Sequence, residues 1–430
     1  MNDTLFTWGA ATDASAPAGA TADTAISKPE VDAPSSEAGA VGQPPAAVAQ
    51  STRIGARRRR FRRDPSFKPE GSRAGRLVIG RRDLDMVAAI AAHRFLNTEH
   101  VIRLFACACP RVERPGMRAG RAVMISVKQH RDGCACSCAS RQHKGEHAAG
   151  CPALFKDDQH VAHRLREVYQ AGYLERPIAQ LQLRVKDGVI NPGSVPLVYC
   201  VTAAGLALIG SERREALGLG KMSWALKQNE GMRAFMEHTL AIADMSVGLD
   251  VAIRKRRELE RFSEAALRAS MIETRRNSPR PWGLKVRYRG EELSTICDLA
   301  FAVGHREARR RYNFLAEIDL GHMPVERADL SRTSIMRKLI GYAKVYEDGL
   351  HRSELGWKNF RVLILTTSPE RVRSCITAAK ARFGTASVGR LFLFATLDVA
   401  RDPLSATYLD VDGNAHRLVE LPASAQQGRP

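Results

Sequence analysis

Three acidic residues and one lysine stand at positions where the chain could assemble a metal-dependent site. Asp298 lies on one strand-like run, after Ile296-Cys297, and Glu317 and Asp319 end the next. Because side chains alternate along a strand, Glu317 and Asp319 should share a face, and an adjacent strand can bring Asp298 beside Glu317. Carboxylate oxygens are ligands that Mg²⁺ and Mn²⁺ take in proteins. Lys338 and Tyr342, four residues apart, should share one face of the next helix.

These residue types suit hydrolysis of a phosphodiester bond. Asp298 and Glu317 would hold the metal ion, which polarises a phosphoryl oxygen, while Lys338 orients or activates the attacking water and Asp319 assists. The alternative is that the acids are solvated strand ends with no metal between them. The sequence leaves open whether the chain is an enzyme.

A second group of metal-ligand residue types lies between residues 106 and 152. Six of the nine cysteines fall there, in C-x-C spacings, with several histidines between them. Thiolates and imidazoles suit tetrahedral Zn²⁺, and a structural zinc ion can fold a segment that has little core of its own. Iron–sulfur ligation, a redox pair and unliganded thiols are the alternatives. The candidate zinc ligands are Cys107, Cys109, Cys134, Cys136, Cys138, Cys151, His143 and His147.

Positive charge is concentrated in one short segment. The chain has 430 residues and a formal net charge of +20, and residues 53–82 contribute +10 of it. Residues 1–52 carry −5 and few large apolar side chains, so we expect them to be disordered. An arginine-rich arm can neutralise phosphates of any sequence, and a solvated linker is the alternative. The candidate phosphate contacts are Arg57, Arg58, Arg59, Arg60, Arg62 and Arg63.

Helical periodicity begins near residue 82. A first helix is predicted over 82–95, a second capped by Thr98, and a third from Asp157 or Asp158 to Gly172. Two strands are then predicted in LQLRVKDG and PLVYCVTAAG. This order is typical of a winged helix-turn-helix, whose third helix enters a DNA groove, and a dimerisation helix is the alternative. The exposed face of the third helix would offer His160, His163, Arg164 and Arg166.

The second half of the chain alternates helical and strand-like segments. Residues 222–260 are predicted to be helical, and further helices are predicted over 333–346 and 369–383. LDVDGNAHRLVEL is predicted to be a closing hairpin that turns at Asp412-Gly413. The order predicts an α/β domain with a mixed central sheet, within a multidomain α/β and α+β chain. The predicted strands are LKVRY, STICDLAFAV, RYNFLAEIDLG, FRVLILTTS and RLFLFATLD.

Composition and patterning argue against membrane and secreted classes. The longest apolar runs have seven residues, whereas roughly 20 are needed to span a bilayer. The first residues lack the apolar core of a signal peptide. We therefore expect a cytoplasmic protein with no membrane partner. A chain this basic is expected to bind a polyanion, here double-stranded DNA.

Several runs, taken in order, resemble the replication-relaxation family of plasmids and other mobile elements. The resemblance covers about residues 80–415 apart from the Cys-rich segment, and its most specific part is E-x-D-x-G at 317–321. It implies a winged helix-turn-helix fused to a restriction-endonuclease-like domain of the PD-(D/E)xK superfamily. The runs that carry it are RDLDMVAAIAAHRFLNTEHVIRLF, RLREVYQAGYLER, PLVYCVTAAGLALIG, MEHTLAIADMSVGL, CDLAFAV, FLAEIDLGHMP and KLIGYAKVY.

The resemblance also implies roles for single residues. Asp298 matches the aspartate of the PD element, and Glu317 matches the first acid of the third strand. Asp319 stands where the superfamily has its lysine, so the resemblance implies that Lys338 supplies the lysine from the following helix. Glu237, on the first helix of this domain, is a further candidate metal ligand, with a surface acid as the alternative.

The implied function is DNA binding in the replication or mobilisation of a plasmid or other mobile element. The implied domain cleaves or nicks DNA with Mg²⁺ or Mn²⁺, and replication or mobilisation proteins are the implied partners. The alternatives are a non-catalytic DNA-binding regulator with a degenerate nuclease fold and a zinc-dependent protein-assembly module. The predicted organisation is a tail (1–52), an arginine-rich arm (53–81), a winged helix-turn-helix domain (82–215) with a zinc insertion (106–152), a connecting helix (216–235), a nuclease-like domain (236–421) and a tail (422–430).

Overall fold

The computed structural model describes most of the chain from residue 77 onward. All described residues lie in one compact unit, Pro65–Pro430. Among them, no helix is both long and apolar enough to cross a membrane. The described residues are 77–106, 111–118, 121–128, 158–180, 185–186, 189–190, 196–219, 226, 229–231, 235–256, 258–278, 280–384 and 387–419; residues 111–118, 121–128, 185–186, 189–190 and 387 are described by their backbone alone.

The first part of the described chain is a helical layer with a small antiparallel sheet. Its elements are α1 (Arg81–His93), β1 (Leu96–Asn97), α2 (Thr98–Phe105), β2 (Arg111–Arg118), β3 (Arg121–Lys128), α3 (Asp158–Gln170), β4 (Leu174–Glu175), β5 (Val185–Lys186), β6 (Val189–Ile190), β7 (Val198–Val201), α4 (Ala203–Ile209) and α5 (Ser211–Ala216). The small sheet has the order β1-β7-β4. Leu96 pairs with Tyr199 on one side of β7, and Leu174 pairs with Val201 on the other.

The three predicted helices are confirmed, with one difference at a helix start. Asn97, rather than Thr98, caps α2, because its side-chain oxygen accepts a hydrogen bond from the His100 N–H at 2.8 Å. The Thr98 hydroxyl instead donates to the carbonyl of Leu197 at 3.2 Å. Helix α3 ends before Gly172, whose φ of 88° lies in the left-handed region that favours glycine.

The strands after α3 pair differently from the predicted hairpin. Of LQLRVKDG the structure describes only residues 185 and 186, which form β5; β5 pairs with β6, while β7 pairs with β1 and β4. The amide side chain of Gln180 takes the place of a further strand. It accepts a hydrogen bond from the N–H of Val198 at 3.0 Å and donates to the carbonyl of the same residue at 3.2 Å. These two hydrogen bonds satisfy the N–H and the carbonyl of Val198 at the start of β7.

The second part is an α/β domain around a mixed central sheet, as the sequence predicts. The sheet has seven strands. Its elements are α6 (Met236–Arg254), β8 (Leu259–Arg261), α7 (Glu264–Ala269), α8 (Glu273–Arg276), β9 (Gly283–Tyr288), β10 (Glu291–Ile296), β11 (Leu299–His305), β12 (Arg310–Ile318), α9 (Ile335–Glu347), α10 (Leu350–Ser353), β13 (Arg361–Thr366), α11 (Pro369–Phe383), β14 (Phe392–Thr396), β15 (Tyr408–Leu409) and β16 (Ala415–His416). The strand order is β16-β15-β14-β13-β12-β11-β8. Strands β12, β13 and β14 are parallel, and the other pairings are antiparallel.

Two strand predictions are wrong in detail. STICDLAFAV divides at Cys297-Asp298: β10 pairs with β9 as a separate hairpin, and only β11 enters the central sheet. LKVRY therefore lies outside that sheet. Its apolar residues Leu284 and Val286 pack with Leu339 of α9, so the hairpin covers a helix instead of extending the sheet. Residues 259 and 260, predicted to be helical, belong to the edge strand β8.

Both faces of the central sheet are buried. Val362 and Ile364 of β13 belong to a core with α9 and α11, whereas Leu363 and Leu365 belong to a second core with α6. This alternation follows from the two-residue period of a strand. Helices α9 and α6 therefore flank the same strands from opposite sides.

Polar contacts join the helical layer to α6. His93 of α1 lies 3.2 Å from the carboxylate of Asp250, which also accepts a hydrogen bond from Arg261 at 2.6 Å. The pKa of Asp250 is lowered by Arg261 and His93, although burial opposes the shift. Arg254 donates to the carbonyl of Leu104 at the end of α2 at 2.6 Å. The helical layer and the α/β domain are thus joined by polar side chains of α6, Asp250 and Arg254, whose partners lie in the helical layer.

We expect Gly248→Ala to destabilise the protein. A Cβ at Gly248 of α6 would lie 2.0 Å from the carbonyl oxygen of Ala400, so the helix would have to move. The free energy of unfolding should fall by about 1–3 kcal/mol, although alanine normally favours a helix interior over glycine by about 1 kcal/mol. Urea unfolding measures the change. Gly231→Ala, whose Cβ meets nothing within 4 Å, is the control, and equal stability of the two variants would contradict this packing.

Candidate functional site

The acidic residues singled out by the sequence meet at one edge of the central sheet. Leu299 of β11 pairs with Ala316 of β12, so Asp298 lies beside Glu317 where β12 ends. The N–H of Asp298 donates to the carbonyl of Ala316 at 3.0 Å, and its carboxylate accepts from the N–H of Ile318 at 2.7 Å. Asp298 therefore fixes the end of β12 by its backbone and by its side chain.

Glu317 is a buried carboxylate held by two donors from α9. The residue is only 1% exposed. The ammonium of Lys338 donates to Oε2 at 2.5 Å, and the hydroxyl of Tyr342 donates to Oε1. Lys338 and Tyr342 share one face of α9, as their spacing predicts. The structure thus brings Asp298, Glu317 and Lys338 together, while their chemical roles stay predictions.

Burial and pairing together shift the pKa values of both partners. Burial raises the pKa of Glu317 to about 7, although the Lys338 ammonium opposes the rise. Burial would lower the pKa of Lys338, but the carboxylates of Glu317 and Asp298 outweigh it and the pKa is raised. Near neutral pH Lys338 is therefore charged, whereas Glu317 titrates between its protonated and ionised forms.

His238 belongs to the site, and the sequence analysis did not identify it. Its Nε2 lies 3.0 Å from the carbonyl oxygen of Ile318 and 3.3 Å from Asp298 Oδ2. The hydrogen bond to Asp298 raises the pKa of His238, although burial opposes it. The feature of the sequence that could have identified His238 is its position directly after Glu237, a candidate metal ligand. Glu237 itself is exposed on the first turn of α6.

The carboxylate of Asp319 is held by a different helix. Oδ2 accepts hydrogen bonds from Thr366 at 2.8 Å and from the guanidinium of Arg371 on α11, and Oδ1 accepts from the N–H of Gly321 at 3.1 Å. Burial opposes the shift, but Arg371 and Thr366 lower the pKa of Asp319. Asp319 is therefore an ionised partner of Arg371 next to the Glu317 site, and its assisting role stays a prediction.

The oxygen atoms at this edge fit a hard divalent cation. Asp298 and Glu317 supply two carboxylates, and the Ile318 carbonyl lies beside them. Mg²⁺ is commonly bound through one or two carboxylates, with water and substrate phosphate completing the set. Within the part of the chain that the structure describes, no group of three or more His, Cys, Asp or Glu side chains could hold a metal ion by itself. Metal binding by Asp298 and Glu317 therefore stays a prediction.

The predicted DNA contacts on α3 divide into two kinds. His160, His163 and Arg166 are exposed. Arg164 is directed into the protein, where Nη2 and Nε donate to the buried carboxylate of Asp83 at 2.6 and 2.7 Å. Arg164 thus fastens α3 to α1, and contact with DNA would have to displace this pair.

Two sets of predicted residues lie outside the described part of the chain. The first is the arginine cluster Arg57, Arg58, Arg59, Arg60, Arg62 and Arg63. The second is the candidate zinc set Cys107, Cys109, Cys134, Cys136, Cys138, Cys151, His143 and His147. Both stay predictions.

Comparison with known proteins gives one match. A family model described as Replication-relaxation matches residues 141–358, about half of the chain. No curated protein and no solved structure matches the chain. The matched range includes His238, Asp298, Glu317 and Lys338, so the site at the sheet edge lies within it.

Glu317 should make the stability of the protein depend on pH. Its pKa is about 7 in the folded state, against the ordinary 4.5, so the folded state binds more protons in this range and stability falls as pH rises. Relative to Glu317→Gln, which cannot titrate, the wild type should lose about 3 kcal/mol of unfolding free energy between about pH 4.5 and pH 8. Urea unfolding at each pH tests this.

Gly231→Ala, which adds and removes no ionisable group, is the control and should give a difference from wild type that is nearly constant with pH. A Glu317→Gln difference that is equally constant would contradict the raised pKa.

Proposed function

Because the chain belongs to the replication-relaxation family, we propose that it acts on DNA in the replication or mobilisation of a plasmid or other mobile element. The α/β domain is a metal-dependent nuclease or nickase, and the helical layer and the arginine-rich arm bind double-stranded DNA. The protein acts in the cytoplasm, with replication or mobilisation proteins as its partners.

The observation that carries the nuclease proposal is the buried Glu317 carboxylate, paired with Lys338 and adjacent to Asp298. Burying a carboxylate and a lysine is costly, and apolar side chains of similar volume often serve the fold as well. Ionisable groups with strongly shifted pKa values cluster at functional sites. A carboxylate pair with a lysine at one sheet edge is therefore better explained by chemistry than by stability.

Each residue has a defined part in this proposal. Asp298 and Glu317 would hold Mg²⁺ or Mn²⁺, which supplies polarisation of the phosphoryl oxygen and a more acidic water. Lys338 is close enough to orient the attacking water or to stabilise charge on the phosphoryl oxygens. Tyr342 fixes the orientation of the Glu317 carboxylate, and His238 does the same for Asp298. Asp319, paired with Arg371, contributes negative charge from the neighbouring position.

DNA binding is assigned to a winged helix-turn-helix made of α1, α2, α3 and the strands that follow. The exposed His160, His163 and Arg166 on α3 are the proposed groove contacts. The arm at 53–81 adds affinity for phosphates without reading sequence. The segment 106–152, as a zinc-binding insertion before α3, would order the approach to that helix, and its zinc ion would be structural.

A non-catalytic DNA-binding regulator is the second candidate, and one observation favours it. Each acid at the sheet edge already faces a basic side chain of the protein: Glu317 faces Lys338, Asp298 faces His238 and Asp319 faces Arg371. Such pairing neutralises the carboxylates without a metal ion. In a regulator, these pairs would serve the fold alone.

Cleavage of supercoiled plasmid in Mg²⁺ or Mn²⁺ separates the two candidates. We expect the wild type to nick or linearise the plasmid, and Asp298→Ala, Glu317→Ala and Lys338→Met to reduce the rate by at least about 100-fold. The reason is that the first two substitutions remove a proposed metal ligand, and the third removes the positive charge proposed to act on the water or the phosphoryl oxygens. Glu273→Ala, which removes an exposed acid on α8 to which no part in the site is given, is the matched control and should cut normally.

A gel shift with the same samples measures DNA binding separately from cleavage, so a loss of cutting can be told apart from a loss of binding. A wild type that binds DNA but cuts with neither metal ion leaves the regulator as the function. Cutting that survives in Glu317→Ala would show that a different site, or a contaminant, is responsible.

The arm should set the salt dependence of DNA binding. Replacing Arg57, Arg58, Arg59, Arg60, Arg62 and Arg63 by glutamine should weaken binding to every DNA sequence. The slope of log K against log salt should fall by up to about 5, because fewer counterions are released. Substitution is preferable to a deletion through residue 80, because the carbonyl of Val78 accepts a hydrogen bond from Arg164 at 2.8 Å.

Removal of the acidic residues 1–52 is the control, since it leaves all six arginines in place. An unchanged slope in the glutamine variant would remove the arm from the DNA-binding surface.

A further inference from the structure

A cavity of about 450 Å³ opens at the end of the sheet opposite the Glu317 site. It is lined by residues from the start of β12, the start of β13 and the turn before β14. Arg311 and Glu317 are six residues apart on β12, which corresponds to about 20 Å along the strand. The cavity is therefore separate from the candidate nuclease site, and its volume lies within the range of small-molecule sites.

The lining is strongly basic. Five arginines face the cavity, and no acidic side chain lines it. None of the five forms an ion pair with an acidic residue in the described part of the chain. The five are Arg310, Arg311, Arg361, Arg390 and Arg417. So many like charges around one cavity repel one another, and an anionic ligand would relieve that repulsion.

Arg311 gives the cavity wall a positive charge that is held in place by its neighbours. Its Nε donates to the side-chain oxygen of Asn313 at 2.7 Å, and its guanidinium lies over the rings of Phe262 and Trp357 at 4.7 and 5.9 Å. Its Nη2 is buried and has no hydrogen-bond partner among the described residues. Burial lowers the pKa of Arg311, yet a guanidinium remains charged. Arg311 therefore contributes positive charge from within the wall, while the exposed Arg390 and Arg417 are the donors that can reach a phosphate oxygen.

Aromatic rings complete the lining. Tyr312, Tyr346 and Phe360 contribute to the cavity wall, and Tyr346 is held by stacking on His351 with ring centroids 5.0 Å apart. Rings beside arginines bind the base and the phosphate of one nucleotide together. The side chains of Asn313 and Asn359 add polar groups.

We propose that this cavity binds a single phosphorylated nucleotide, with the arginines on the phosphate and the aromatic rings against the base. The nucleotide is either free or the 5′-phosphorylated end of a DNA strand. The proposal does not require the Glu317 site to cut DNA, so the plasmid assay and the binding assay below can fail independently.

The test compares short oligo(dT) strands with and without a 5′ phosphate, using the full chain. The ratio of their dissociation constants cancels affinity that comes from the arm. The wild type should prefer the phosphorylated strand by about tenfold or more, and Arg390→Glu/Arg417→Glu should abolish the preference. Both residues are exposed, so the fold should be retained. Arg280→Glu/Arg287→Glu changes the same charge at exposed positions outside the cavity lining and should keep the preference.

Binding of dTMP alone distinguishes the two sources of the nucleotide. If dTMP binds the wild type and displaces the phosphorylated strand, a free nucleotide is the ligand; if only the strand binds, a strand end is the ligand. Either result supports the site. It is overturned if the wild type shows no phosphate preference and no dTMP binding, or if both double variants behave alike.

Discussion

The ion pair between Glu317 and Lys338 is the interaction around which the α/β domain is arranged. Glu317 reaches a buried position because β12 is an inner strand of the central sheet, and Lys338 and Tyr342 reach it because α9 covers that face. Neither partner can be buried alone without a large free-energy cost. The geometry of β12 against α9 is thus fixed by a polar requirement as well as by apolar packing.

The same principle extends to the other acids at this edge. Lys338 comes from α9, His238 from α6 and Arg371 from α11, and each faces a different carboxylate. Three helices on two faces of the sheet therefore converge on the end of one strand. Charge balance at this edge is shared among elements that are far apart in sequence.

Helix α6 connects this edge to the helical layer. Its first turns carry His238, and its last turns carry Asp250 and Arg254, which contact His93 and the end of α2. A 19-residue helix spans about 28 Å at 1.5 Å per residue. The part of the protein proposed to hold DNA and the part proposed to cut it are therefore joined through one rigid element.

Much of the secondary structure of this protein could be predicted from local sequence patterns. Apolar periodicity and capping residues predicted α1, α2, α3, α9 and α11 to within a few residues, and the order of segments predicted the mixed sheet. Alternation along β12 and helical spacing predicted that Asp298, Glu317 and Lys338 could meet.

The tertiary structure alone decided which groups pair: His238 is 60 residues from Asp298, and the LKVRY strand packs on a helix instead of joining the sheet. The tertiary structure also directs Arg164 toward Asp83 and brings the five arginines of the cavity together at the end of the sheet opposite Glu317. Short-range periods fix helices and strands, but strand order and burial depend on contacts distant in sequence, so the partner of a charged side chain is set only when the chain has folded.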